Sequence, residues 1–348
     1  MSSFPGWREA LSRVVGGVDL SHEAAADALG EILDGNATPA QIAAFFVALR
    51  MKGESVGEIT GFVSSMMAHA APLVLPENAI DIVGTGGSTA LRAGAFNVST
   101  VAAIVAAAGG ATVCKHGNRL ASSTSGSFDL LERLGVAIDL DGVGVRRCVD
   151  EAGIGFCFAR VFHPAMRHVG PVRAEIGVPT VFNILGPLSH PGDVRRQVLG
   201  VADAARVDLI ASVLAERGLD RAVVVRGEDG LDEFTLTGPS SVVRIEAGVI
   251  EHQTFDPASV GLARRSLDEL IVGDPEANAV VARRVLRGEP GAHRDLVVLN
   301  AGVALEVAGV ADDIADGVRR AADAIDGGAA AATLDRLVEV SNAASRSA

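Results

Sequence analysis

The chain has 348 residues, 49% apolar and 21% charged, with a formal net charge of -13. These values fit one large domain, or one large and one small, around a sizeable core, and they exclude a disordered chain. The acidic balance, a 4% aromatic share and the absence of Tyr argue against nucleic acid and anionic membranes as partners.

Trp7, Arg8, Glu9 and Arg13 interrupt any signal-peptide core near the N-terminus. Residues 1–70 read as helical. Ser21 is a candidate N-cap for HEAAADALGEILDG, with Gly35 as its stop. Thr38 caps the next helix with Pro39 at its first position, and Gly53 ends it. ESVGEITGFVSSMMAHA carries apolar residues at helical spacing. Pro72 and Pro76 then break the chain, and strand–helix alternation begins. Strands are expected at 80–83, 111–115, 154–159, 197–202 and 221–226. Helices are expected at 97–109, 125–134, 143–152, 206–217, 274–287 and 312–326, with a further one in the Ala-rich end GGAAAATLDRLVEV. Phe162 to Pro191 interrupts the rhythm with a helical stretch and then GPLSHPG. The alternation implies an α/β fold with a mostly parallel central sheet, preceded by a small all-helical domain. The longest apolar run, Val101 to Ala108, is too short to span a bilayer. Cys114, Cys148 and Cys157 are odd in number, lack metal-ligand spacing and read as small buried hydrophobes in a reducing compartment. The expected location is the cytosol.

Three polar turns stand at the ends of these strands. Gly84, Gly86 and Gly87 follow the first. They form no Walker motif, because no Gly-Lys-Ser/Thr follows, and no dinucleotide fingerprint, because Thr89 stands where the third glycine belongs. Asn97, Ser99 and Thr100 open a helix; capping alone would explain one of them. Lys115, His116, Gly117, Asn118 and Arg119 lead into ASSTSGS, a loop rich in hydroxyls and N–H groups. Glycines let the backbone approach a phosphate and helix N-termini offer free N–H groups, so the three turns read as a site for a phosphorylated ligand. Asp232 and Glu233 are hard oxygen donors suited to Mg²⁺. In a regular strand they would face opposite ways, so a shared metal requires a turn or bulge; a solvated acidic pair is the plainer alternative. His163, Met166 and Arg173 fit one helical face, and Arg173 is suited to clamp a carboxylate, although a surface arginine would read the same.

With these motifs in this order the chain resembles the anthranilate phosphoribosyltransferase family, nearly end to end. The resemblance rests on GTGG at 84–87, FNVST at 96–100, KHGN at 115–118, SGS at 125–127, HPAMRHVGPVRAEIG at 163–177, FNILGPL at 182–188 and GLDE at 230–233. It implies a nucleoside-phosphorylase-like fold. A helical domain, 1–74, would pack with 163–192, and 75–162 with 193–348 would form the α/β domain. It implies transfer of phosphoribose to anthranilate in tryptophan biosynthesis, with no covalent or acid–base residue. Gly84, Thr85, Gly86, Gly87, Ser88, Asn97, Val98, Ser99, Thr100, Lys115, His116, Gly117, Asn118, Arg119, Ser122, Ser123 and Ser127 would hold phosphoribosyl pyrophosphate. Gly84, His116, Asn118, His163, Met166 and Arg173 would hold anthranilate, with Arg173 facing its carboxylate. Ser99 and Glu233 would reach one Mg²⁺, and Asp232 with Glu233 a second. A homodimer through the helical domain is also implied.

The chain departs from the family pattern at one place. Ser88 stands where Asp usually follows GTGG, the link STALRAGA is longer than usual, and Ala95 replaces a Thr. An altered pyrophosphate loop is expected. Three other readings stay open on sequence grounds: a paralogue with another aromatic acceptor, a ligand-binding relic, and a pyrimidine nucleoside phosphorylase.

Overall fold

Short-range capping shapes the N-terminal helices. The computed structural model describes residues 4–88, 94, 96–119 and 125–346. After α1 (Trp7–Val15), Ser21 accepts from the Ala24 N–H to start α2 (His22–Leu33). Thr38 with Gln41, and Ser55 with Glu58, form reciprocal capping boxes at the starts of α3 (Pro39–Lys52) and α4 (Val56–Ala68). Glu58 is fully buried; it pairs with Lys52 at 2.8 Å and accepts from the Leu20 and Ser55 N–H groups.

From β1 (Ile80–Gly84) onward strands and helices alternate, through α5 (Val98–Ala108), β2 (Val113–Gly117), α6 (Ser127–Leu134), α7 (Gly142–Ala152) and β3 (Ile154–Phe158). The stretch that follows is not one helix. It is α8 (Ala159–Phe162), a 3₁₀ turn over Pro164–His168, α9 (Gly170–Ile176) and α10 (Phe182–Leu188). Pro164 and Pro171 each sit in the first turn of a new piece, where a missing N–H costs nothing. Next come β4 (Arg196–Gly200), α11 (Val207–Glu216), β5 (Arg221–Gly227), β6 (Ser240–Glu246) and β7 (Val249–Phe255). The chain closes with α12 (Pro275–Leu286), α13 (Ala292–Val307), α14 (Ile314–Asp326) and α15 (Ala329–Ser345).

The strands form one sheet in the order β3-β2-β1-β4-β5-β6-β7. The pairs from β3 to β5 are parallel; β6 and β7 are antiparallel. Alternate residues feed two apolar layers. Ile80, Ile82, Val198, Val223 and Val225 join the layer under α5, α7 and α13. Val83, Leu199, Ala222 and Val224 join the other, with α11, the N-terminal helices and α9–α10. The Phe46 and Phe182 rings, 4.5 Å apart, bring α3 and α10 together in that layer. The N-terminal helices therefore share their core with the sheet. Covered on both faces, the parallel strands read as apolar runs.

β6, β7 and α13 lie outside the elements expected from the sequence, and β2 begins two residues later than expected, so that Lys115, His116 and Gly117 belong to the strand. The β6–β7 hairpin turns on Ala247 and Gly248, both at positive φ (48° and 83°). That is the type I′ geometry usually announced by Asn-Gly, and an Ala in its first position hides it. α13 is buried on nearly every side, so it lacks the polar stripe that marks a helix in sequence. Among the described residues no helix is long and apolar enough to cross a membrane.

Candidate active site

β1 and β4 are neighbours, yet β1 leads on to β2 on one side and β4 to β5 on the other. At such a switch point the outgoing loops part and leave a crevice beyond the carboxyl ends of the strands. Gly84 to Ser88 leaves β1 there. Gly86 and Gly87 hold φ of 67° and 82°, a turn that side chains disfavour. The Thr85 N–H bonds Gly200 O at 2.9 Å, the Gly86 N–H donates to Asp232 Oδ2 at 2.8 Å, and Ser88 Oγ donates to Gly230 O at 2.9 Å. The glycine loop is thus tied to the loop that carries the acidic pair, and Ser88 is one of the ties. A Cβ at Gly84 would come within 2.3 Å of Asp232 Oδ2, and one at Gly200 within 1.6 Å of Asp232 O. These two glycines form the seat of Asp232; Gly200 was not singled out from the sequence, where a strand glycine carries no sign of what approaches it.

Asp232 and Glu233 occupy a bend after β5 rather than a regular strand, so the alternation of a strand does not hold their side chains to opposite faces. The Ser99 N–H, in the first turn of α5, donates to Glu233 Oε1 at 3.2 Å. Asn97 precedes α5, but its side chain makes no cap; its amide donates to Ser125 O at 2.9 Å and its carbonyl accepts from Ser125 Oγ at 2.8 Å. The first N–H groups of α5 are met without that cap: Val98 N–H by Phe96 O at 2.9 Å, Thr100 N–H by Asn97 O at 3.2 Å and Ser99 N–H by Glu233. Thr100 Oγ1 is buried with no partner among the described residues. Burial pushes the Asp232 carboxyl up, and burial together with the Asp232 charge pushes Glu233 well above its ordinary range. Two adjacent desolvated carboxylates with Ser99 beside them are a fitting donor set for a hard divalent cation.

The end of β2 supplies the opposite charge. Lys115 is buried; burial draws its ammonium down, against the pull of Asp81, Glu233 and Asp232. Asp81, fully buried on β1, accepts from the His116 N–H at 3.0 Å and from Gln197 Nε2 at 3.0 Å, and so fixes where β2 delivers Lys115 and His116. Burial holds His116 well below the ordinary histidine range, with His163 and His190 adding to it, so it is a neutral ring. Ser127 Oγ donates to Asn118 O at 3.1 Å, while Arg119 turns to Glu132 at 3.0 Å.

These groups line one cleft of about 250 Å³. Gly84 to Ser88, Asn97, Ser99, Thr100, Lys115 to Arg119, Ser127, Asp232 and Glu233 all face it. Val98 does not; it is a core residue. Ser122 and Ser123 lie outside the described residues, as does Ala95. Phe96, Ser125 and Gly126 also line the cleft and were not singled out as site residues. Their signal was their place inside the FNVST and SGS motifs.

His163, Met166 and Arg173 do not line that cleft. The His163 ring lies 5.4 Å from His116, its Nε2 3.0 Å from Ser189 O, and burial brings it down to about 4. Met166 packs against the apolar layer of the N-terminal helices. The Arg173 guanidinium lies over Phe182, 5.4 Å from the ring centroid, and no carboxylate among the described residues pairs with it. A second cavity of about 340 Å³ shares Thr85, Gly86 and Gly87 with the first and continues between α3, α10 and the sheet.

The description "Glycosyl transferase family, helical bundle domain" matches residues 8–70, and "Glycosyl transferase family, a/b domain" matches residues 76–331. Anthranilate phosphoribosyltransferase from Methylobacterium radiotolerans is 51% identical over 342 residues, covering 98% of this chain and 97% of its own. The crystal structure of the enzyme of that name from Thermus thermophilus superposes with a TM-score of 0.90 at 43% identity, over 96% of this chain and 99% of its own. The enzyme from Saccharomyces cerevisiae in complex with PRPP and Mg superposes with a TM-score of 0.87 at 27% identity, over 97% of this chain and 98% of its own. On sequence, fold and the order of its motifs alike, the chain belongs to the anthranilate phosphoribosyltransferase family.

Proposed function

We propose that the chain transfers the 5-phosphoribosyl group of phosphoribosyl pyrophosphate to the amine of anthranilate, giving N-(5-phosphoribosyl)anthranilate and pyrophosphate. The observation that carries this reading is the single cleft at the switch point. There the start of α5, a glycine loop and the buried Lys115 stand beside two desolvated carboxylates. A diphosphate needs the first set and its counter-cations need the second.

In this reading Gly84 to Ser88, Asn97, Ser99, Thr100, Lys115 to Arg119 and Ser127 bind the donor. Ser99 with Glu233 would hold one Mg²⁺, and Asp232 with Glu233 a second. Bound there, Mg²⁺ supplies neutralising charge for the departing pyrophosphate oxygens. Lys115 adds fixed positive charge on the same side. Arg173, half-buried and without a carboxylate partner among the described residues, clamps the anthranilate carboxylate, with Asn118, Met166 and the neutral His116 and His163 setting the amine toward ribose C1. The aromatic amine carries no charge to remove, so positioning does the work that a general base does elsewhere.

Residues 1–74 with 163–192 form the acceptor-side unit, and 75–162 with 193–348 the donor-side unit. A homodimer through the helical unit is supported by the exposed Val15, Val18, Val47 and Met51 on and beside α1 and α3. The cytosol is the compartment we assign. The test is the fall of anthranilate fluorescence on adding phosphoribosyl pyrophosphate and Mg²⁺. Turnover that stops with a chelator is expected; no turnover by folded protein at millimolar substrates would overturn the reading.

A further inference from the structure

The three cysteines read from sequence as unrelated small hydrophobes. In the fold two of them meet. Cys114 on β2 and Cys157 on β3 point to one side of the sheet with their sulfurs 3.2 Å apart, and both are fully buried. His190, in the turn between α10 and β4, brings Nε2 to 3.9 Å from Cys157 Sγ. The donor atoms of all three residues lie within 4.8 Å of one another. The cluster stands behind the cleft: the His190 ring is 5.9 Å from that of His116.

We infer that Cys114, Cys157 and His190 form a binding site for one thiophilic d¹⁰ cation, of the Zn²⁺ class. A disulfide is the competing use of two close cysteines, and the register speaks against it. Cys114 pairs with Gly155, while Cys157 pairs with His116, so the two are diagonal by two residues. Strand rise and spacing then put their Cα atoms about 8 Å apart, beyond the ~7 Å that a disulfide bridges without moving backbone. A cation reaches further. Bonds of about 2.3 Å to sulfur and about 2.0 Å to nitrogen at tetrahedral angles ask for S···S near ~3.8 Å and S···N near ~3.5 Å. The distances of 3.2 and 3.9 Å differ from these by rotamer-scale shifts. Soft sulfur donors select Zn²⁺-type ions over Mg²⁺, so the site does not compete with the acidic pair.

Every proton released on loading has a place to go. Without metal, the Gly192 N–H donates to His190 Nδ1 at 3.0 Å, so Nε2 carries the ring proton and donates to Cys114 O at 2.9 Å. Loading releases both thiol protons to solvent and moves the ring proton from Nε2 to Nδ1, giving up the Gly192 bond. The bound ion would fasten β2, β3 and the 189–192 turn together.

The experiment titrates the full chain, reduced with a phosphine rather than a thiol, with Cd²⁺. It follows the thiolate-to-cadmium charge-transfer band and the thermal midpoint. The expected result is a band saturating at one cadmium per chain with an upward shift of the midpoint. Both are lost in C114S/C157S and kept in C148S, and H190Q weakens binding by at least ~10-fold. No band in the wild-type protein overturns the inference. So does a band that persists in C114S/C157S, one lost in C148S, or one that forms only on denaturation. If C114S/C157S does not fold, C114A/C157A gives the same readout with apolar replacements.

Discussion

The sheet has two ends that differ in kind. At the β1–β2–β4 end every strand is parallel, buried on both faces and followed by a polar loop; at the other end β6 and β7 are antiparallel and β7 is exposed along nearly all its length. All the titratable groups of the cleft belong to the first end or to the loop after β5. The reason is geometric. A parallel strand must be followed by a crossover, so each carboxyl end delivers a loop, and in β1's case a helix N-terminus, to one side of the sheet. A hairpin returns at once and delivers only a turn. Glycines follow the same division. Gly84 and Gly200 are needed because Asp232 packs on them, its carboxylate on the first and its backbone on the second, whereas Gly248 serves only its own turn.

The largest break in that contrast is expected at Glu233. Replacing it by Gln keeps the shape and removes the charge that completes the acidic pair. We expect kcat to fall by roughly 100- to 1000-fold, the scale of losing one preorganised electrostatic group, with weaker dependence on Mg²⁺. Wild-type metal dependence in E233Q would refute the assignment. The same variant has an opposite effect on stability. Burial raises the folded-state value of Glu233, so the metal-free chain binds that proton more tightly folded than unfolded. The associated stability is present at low pH and is lost as pH rises from the ordinary glutamate range through the raised value. E233Q has no such loss, so metal-free melting should be less sensitive to pH in the variant across that window.

A smaller effect is expected at Arg173. R173A removes a clamp that serves bound acceptor and transition state alike, so the anthranilate KM should rise by about 10- to 100-fold while kcat changes little. The phosphoribosyl pyrophosphate KM should stay near its wild-type value, because Arg173 stands outside the donor cleft. An unchanged acceptor KM would remove the clamp.

The end of the sheet that carries the chemistry was legible in sequence, and the other end was not. GTGG, FNVST and KHGN mark places where the backbone itself must be short, free or charged, and such needs leave residue types behind. Gly200, at the end of β4, and Asp81, inside β1, shape the same cleft from within strands, where a glycine or an acid has no neighbours in sequence to explain it. Arg173 was read as a cation for a carboxylate, and the interrupted helical stretch from His163 to Arg173 breaks at Pro164 and Pro171 into a 3₁₀ turn and α9. Cys114 and Cys157 were passed over because the register that joins them, β2 against β3, is a tertiary fact. The hairpin was lost for a local reason, Ala247 in a conformation that Asn or Gly usually announces.

The smallest effect is expected at the far edge. Val249 opens β7 with 60% of its surface exposed, and its partner across the turn is Glu246. V249T keeps the β-branch that favours an extended strand and adds a hydroxyl that water can satisfy. Stability should change by less than about 0.5 kcal/mol, and kcat, both KM values and Mg²⁺ dependence should be indistinguishable from wild type. The strand is not inert along its whole length: at its other end Phe255 packs edge-on to Phe234, 5.4 Å between ring centroids, and Phe234 adjoins Glu233. A change in Mg²⁺ dependence from V249T would therefore mean that the hairpin transmits strain to the acidic loop through this ring pair. The division between a chemical end and a purely structural end would then fail at this contact.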